Sequence, residues 1–164
     1  MAYSVIIRKA ILADLDTVIA VCAVGRELMC ESGNPDQWPE DYPPRATIED
    51  DIRSSNSYIC EENGEIKAVF CLAPGPDSTY TKIDGAWLND EPYGVVHRIA
   101  RTREAKGAGA FCLNWCFDQL PNIRIDTHRD NIPMLKLMEK LGYVRCGIIW
   151  LDNGDERIAF QKVV

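Results

Sequence analysis

Val95-Val96-His97-Arg98-Ile99-Ala100-Arg101-Thr102-Arg103-Glu104-Ala105-Lys106-Gly107-Ala108-Gly109-Ala110 is the stretch that decides the fold. It reads as a strand, a short turn, a run of small residues and the start of a helix. Gly107 and Gly109 let the backbone pass close to a ligand. A helix start offers unpaired N–H groups and the positive end of the helix dipole, which together suit an anion. Four of the 18 basic residues fall within nine positions, as Arg98, Arg101, Arg103 and Lys106, against one of the 25 acidic residues. A local positive cluster in a chain of net charge −7 implies an anionic ligand, most simply a pyrophosphate. A tight strand–helix turn with solvated arginines is the other reading of the same pattern. No G-x-x-x-x-G-K-[ST] is present, which argues against a P-loop. No G-x-G-x-x-G is followed by an acidic residue at the distance that a dinucleotide fold requires.

Outward from this stretch the chain alternates strands and helices. Ser4 to Lys9 is β-branched and predicts a strand. Asp14 offers an N-cap to a helix running to about Glu31, with Leu15, Val18, Ile19 and Cys22 at i, i+3, i+4 and i+7. A proline-rich loop over 36–44 follows. Thr47 precedes Glu49, Asp50 and Asp51 as the capped start of a second helix. Ser57–Cys60 and Ile66–Leu72 predict a hairpin about Asn63-Gly64. Residues 74–92 read as a loop holding Tyr80 and Trp87, and such loops are more often functional than idle. Strands are predicted at 93–100, 122–127, 143–151 and 157–163. The helix from about Gly107 to Leu120 has few polar positions and is expected to be buried over most of its surface. Asn131 caps the last helix, with Pro133 in its first turn and Gly142 at its stop. The result is one α/β domain over 1–164, a mixed sheet with helices on its faces.

Composition narrows the function classes. An acidic surface argues against nucleic acid as a partner. No apolar run is long enough to cross a membrane, and the N-terminal residues do not read as a signal peptide. The chain is read as a cytoplasmic protein. Seven cysteines, an odd number with no C-x-x-C, read as buried thiols in a reducing compartment. Cys112 and Cys116 lie one helical turn apart, but only two histidines exist in the chain, so no metal site is assigned. A cysteine nucleophile would need a histidine beside it, and no spacing suggests one.

Residues 104–109, Glu104-Ala105-Lys106-Gly107-Ala108-Gly109, resemble the acetyl-CoA-binding motif R/Q-x-x-G-x-G/A of the GNAT N-acetyltransferase superfamily. Arg124 to Asn131 and Leu141-Gly142-Tyr143 resemble the family's strand, Asn-capped helix and L-G-F/Y ending. The element order agrees over nearly the whole chain, and the resemblance is nearest to small bacterial members with no assigned acceptor. It implies a GNAT-like acyl-CoA N-acyltransferase fold in which two central parallel strands splay into a V. It also implies acetyl-CoA as co-substrate, with pantetheine along Ile99, Ala100 and Arg101, pyrophosphate on Ala105, Lys106, Gly107, Ala108, Gly109 and Ala110, and Asn131 near the pantetheine arm.

Two positions depart from the family pattern. Glu104 stands where Arg or Gln is usual, so its carboxylate is expected to point outward, with Arg103 or Lys106 supplying positive charge. Many members carry a tyrosine five residues before the final aromatic of L-G-F/Y, where it protonates the leaving thiolate. Here that residue is Met138, and the acid is unassigned.

The reaction implied is direct attack of a primary amine of a small molecule, amino acid or peptide on the thioester, with a backbone N–H near Ile99 stabilising the oxyanion. His97 is the candidate base, placed by strand alternation on the same face as Ile99. The other reading of His97 is a histidine hydrogen-bonded under the sheet. His128 is a weaker base candidate, or orients the turn before Asn131. Trp38, Tyr80, Trp87 and Tyr93 are expected around the acceptor, together with Asp36, Glu40, Asp41, Asp84, Asp90 and Glu91, which would draw a small cationic amine or an amino-acid derivative. Solvated loop charges and core aromatics are the alternative. Trp115 and Trp150 read as core or contact residues, and the last strands offer edges for a homodimer. A CoA-binding regulatory module of the same fold competes with the enzyme, on the strength of Met138.

Overall fold

The structure is a computed structural model that describes residues 4–164. Eight strands form one sheet: β1 (Val5–Lys9), β2 (Ser57–Glu62), β3 (Glu65–Pro74), β4 (Asp84–Gly85), β5 (Gly94–Arg101), β6 (Asn122–Thr127), β7 (Val144–Trp150) and β8 (Glu156–Val163). Four helices flank them: α1 (Leu15–Glu31), α2 (Arg45–Arg53), α3 (Ala108–Gln119) and α4 (Ile132–Lys140). The order across the sheet is β1-β2-β3-β5-β6-β8-β7-β4. Only β5 and β6 run parallel. No helix among the described residues is long and apolar enough to cross a membrane.

Both sheet faces are covered, which is why the strands carry apolar residues on both sides. Phe70, Leu72, Val96, Ile123, Ile125 and Phe160 pack against Cys112, Leu113 and Cys116 of α3 and Met138 of α4. On the opposite face, Ile59, Val69 and Ala100 meet Val18, Val21 and Cys22 of α1 and Ile48 and Ile52 of α2. A third cluster gathers Tyr80, Val95, Ile149 and Ala159, with Ile83, Trp87, Tyr93 and Leu151 packed against it.

Three local expectations change. First, α2 begins at Arg45, with Pro44 rather than Thr47 at its N-cap. The proline ring already fixes a backbone that feeds a helix start. Second, the 74–92 segment is not plain loop. It holds a 3-10 turn at Ser78–Tyr80 and the two-residue β4, which pairs with β7, because buried Tyr80 packs the segment against Ile149. Third, α3 buries one face only, and Phe111 is 45% exposed. Its first turn borders cavities instead of core.

Of the last strands, only β7 has an outer edge, and β4 covers two of its residues. β8 is interior, and Lys82 lies 5.1 Å over the Trp150 ring. Trp115 packs against Tyr58, with ring centroids 5.1 Å apart.

Candidate active site

β5 and β6 pair through two residue pairs, Gly94–Ile123 and Val95–Arg124, and then part. The parting begins at a bulge. Val69 pairs with Ala100 and Cys71 with His97, so Arg98 and Ile99 together oppose Phe70. Arg98 takes φ +49°, which is unusual for a side chain of this size. A two-point ion pair to Asp51 of α2 holds it there: Nε to Oδ2 and Nη2 to Oδ1, each 2.7 Å, with both side chains largely buried.

The bulge overturns the alternation argument for His97. Val96 and Ile99 pack on the α3 face, whereas Ala100 lies on the α1 face. His97 is in register with Cys71, on the face opposite Val96 and Ile99. One extra residue in a strand shifts all that follows to the other side.

A cleft of about 550 Å³ lies beside the parted end of β5, between α1, the start of α3 and α4. Seven of the expected cofactor residues line it: Ile99, Ala100, Arg101, Gly107, Gly109, Ala110 and Asn131. Ala105, Lys106 and Ala108 border a smaller cavity of about 240 Å³ instead, together with Glu104. Sequence reasoning missed Gly25, Leu28 and Met29 of α1, and Met134, Leu137 and Lys140 of α4. The signal for Gly25 was a glycine amid helix-periodic apolar residues. It allows α1 to approach β5 so closely that a Cβ there would sit 2.7 Å from Ala100 Cβ.

Gly107 caps α3 with φ +88°, a conformation that glycine adopts without cost. Gly109 and Ala110 follow in the first turn, where amides have no intrahelical acceptor. Arg103 is tied to Glu27 and Glu31 of α1, so its charge is already neutralised. Lys140 of α4 and Arg101 of β5 are the cations in the cleft's lining. Asn131 caps α4 by accepting from the Met134 amide at 3.3 Å, and its own amide donates to Gln37 Oε1 at 2.9 Å.

His97 Nε2 lies 2.9 Å from Asp77 Oδ2. That contact, with help from the Thr79 hydroxyl and amide, holds the Asp77 carboxyl down to about 2 although burial opposes it. The Asp77 amide donates to the Tyr93 hydroxyl at 2.9 Å. Close by, the Tyr80 hydroxyl donates to Asp126 Oδ2 at 2.7 Å. Burial pushes the Asp126 carboxyl up, against the pull of the Tyr80 bond and of nearby His97 and Arg157. Asp77 and Asp126 carried no sequence signal beyond their residue type.

The aromatic residues expected around the acceptor divide. Tyr80, 2% exposed, and Trp38, 7% exposed, are core residues. Trp87 and Tyr93 sandwich the Arg124 guanidinium, at 4.3 and 3.9 Å from the ring centroids. Of the acidic loop residues, Asp36 borders a second cavity, while Glu40, Asp41, Asp84, Asp90 and Glu91 are exposed. His128 Nδ1 accepts from the Asp130 amide at 3.0 Å, which orients the turn before Asn131. Met138 is 0% exposed in the core and has no proton to give. No group of three or more His, Cys, Asp or Glu side chains among the described residues stands together as a metal site would require.

No family model matches the chain, and no curated protein does. Solved structures do. A GNAT-family acetyltransferase from Streptococcus agalactiae is 30% identical, over 98% of this chain and 95% of that one, with a TM-score of 0.89. A GNAT-family acetyltransferase from Listeria monocytogenes shares the fold at 18% identity, over 98% and 95% of the two chains, with a TM-score of 0.73. A chain of the NatC complex, crystallised with Gag peptide and CoA, shares the fold at 11% identity, over 98% and 99%, with a TM-score of 0.66. At 30% identity over nearly the whole of both chains, this chain belongs to the GNAT family of acetyltransferases.

Proposed function

We propose that the protein transfers the acetyl group of acetyl-CoA to a primary amine by direct attack on the thioester. The observation that carries this reading is the cleft beside the parted end of β5, walled by α1 and α4 and bordered by the start of α3. An extended chain of amides suits a strand that has lost its neighbour, so pantetheine fits along Ile99 to Arg101. The amides of Gly109 and Ala110 suit pyrophosphate, with Lys140 as counter-charge. Gly109 supports the fit. A Cβ there would reach only Leu137, at 3.7 Å, so the helix turn stands clear of its surroundings.

The amine must lose a proton to react at neutral pH. His97 is suited to take it. With Nε2–H donated to Asp77, the neutral ring keeps its lone pair on Nδ1. The amine nitrogen bonds to the carbonyl carbon, the C–S bond breaks, and the amine proton passes to His97. The thiolate takes its proton from water, since the Met138 position offers none.

Calorimetry with acetyl-CoA, CoA and ATP tests the cleft. Acetyl-CoA and CoA are expected to bind and ATP to bind poorly, and Gly109→Trp is expected to abolish acetyl-CoA binding. Thiol release on an amine panel then tests the chemistry. His97→Ala is expected to lower kcat by about 10²–10⁴-fold with acetyl-CoA affinity kept. Absence of acetyl-CoA binding would overturn the reading. Binding without turnover on any amine would mark an acyl-CoA-binding module instead.

A further inference from the structure

A second cavity, about 620 Å³, opens beyond the C-terminal end of β6, between Asp36 and the turn that joins β7 to β8. His128, Arg129, Arg145 and Arg157 line it. Elsewhere, Arg8, Arg45, Arg53, Arg98 and Arg103 are each paired with a carboxylate, whereas Arg26, Arg101 and Arg124 donate to carbonyls. None of the three arginines of this cavity forms an ion pair with the described residues, in a chain of net charge −7.

Arg157 is buried, yet its guanidinium donates only to the carbonyls of Glu156, at 2.9 Å, and Gln37, at 3.2 Å. No carboxylate of the described residues lies within ion-pair distance of it, and a carboxylate is the planar partner that its fork fits. His128 adds a donor. Its Nδ1 accepts from the Asp130 amide, so the neutral ring carries its proton on Nε2. Asp36, Asp155 and Glu156 on the same walls balance the three arginines. Such a site suits a zwitterion better than a bare anion.

The cavity adjoins the acetyl-donor cleft across one residue. The Gln37 carbonyl accepts from Arg157 of the cavity, and its side-chain oxygen accepts from Asn131 of the cleft.

We propose that this cavity holds the carboxylate of the acceptor, and that the acceptor is accordingly a free amino acid or similar zwitterion. The inference rests on acetyl transfer at His97. It narrows the expectation of a small cationic amine or an amino-acid derivative to the second, and moves its recognition from the acidic loops, most of whose carboxylates stand in solvent, to this cavity.

The test compares each of a panel of amino acids with its own carboxamide and with simple diamines, at saturating acetyl-CoA, by release of free thiol. At least one amino acid is expected to exceed its amide about tenfold in kcat/KM. Arg145→Gln and Arg129→Gln, at exposed positions that the fold does not need, are expected to raise KM for that amino acid severalfold with kcat kept. They also narrow the gap between acid and amide. Calorimetry of the same amino acids on the CoA-saturated protein gives a readout independent of turnover. Amides or diamines acetylated as well as the acids, or an unchanged KM in both variants, overturns the inference. So does the lack of both turnover and binding for every amino acid. Loss of acetyl-CoA binding in the same series would instead sink the transferase reading, while amino-acid binding to the cavity would still be scored.

Discussion

Asp77 stands twenty residues from His97 in the chain and 2.9 Å from it in the fold. As an acceptor for Nε2–H it selects the ring tautomer whose Nδ1 can take a proton. Asp77→Asn is therefore expected to lower kcat on the best amine while acetyl-CoA affinity, measured by calorimetry, stays the same. The same contact has a pH signature. The folded Asp77 carboxyl lies at about 2, below its ordinary 3.8. Its stabilising effect is fully present above the ordinary value and is lost as pH falls through about 2. Acid unfolding followed by circular dichroism is expected to show less pH dependence in that window for Asp77→Asn than for the wild type. The sequence pointed to His97 through its strand, but not to Asp77 or Asp126, whose roles come from contacts across the chain. Nor could it show the Arg98 bulge, which depends on Asp51 47 residues away.

At the scale of elements, α1 and the start of α3 build the cleft through their glycines in different ways. At Gly25 a methyl group would press on Ala100 Cβ from 2.7 Å and push α1 away from β5. Gly25→Ala is expected to lower stability by about 1–3 kcal/mol in urea unfolding. At Gly109 the added methyl meets only Leu137, at 3.7 Å, in a helix that prefers alanine. Gly109→Ala is expected to be neutral, or to stabilise by up to about 1 kcal/mol. Equal losses for the two variants would contradict this account of the α1–β5 contact. Periodicity located α1 and α4 well, and Asn63-Gly64 marked its hairpin, because local spacing decides those elements. The β4 pairing and the exposed side of α3 were hidden. They follow from Tyr80 meeting Ile149 and from cavities that no single helix records.

In the whole molecule, apolar packing on both sheet faces takes most thiols out of solvent. Cys22, Cys60, Cys71, Cys112 and Cys116 are buried, Cys146 is half-buried and Cys30 is exposed. Burial pushes the Cys22, Cys71 and Cys116 thiols up to about 12. A thiol reagent is expected to label Cys30 quickly, Cys146 slowly, and all seven cysteines only after unfolding. Fast labelling of three or more in the native protein would contradict the packing. Fold class and element order were legible in the chain as a whole, as was the cradle at Gly107. The strand order was not, since pairing between distant strands leaves no local mark. The arginine cavity was not either, because its walls come from four separate segments.

The two-pair junction of β5 with β6 makes the protein a hinged book. One leaf is β1-β2-β3-β5, the other is β6-β8-β7-β4, and the spine is one corner long. A donor lying in the gutter acts as a clasp and fastens the leaves along a length where the chain itself supplies no rung. Acetyl-CoA is then expected to slow amide exchange on both leaves, even in β7, which contributes nothing to the cleft. Slowing confined to the residues that line the cleft would mean instead that the spine is already rigid.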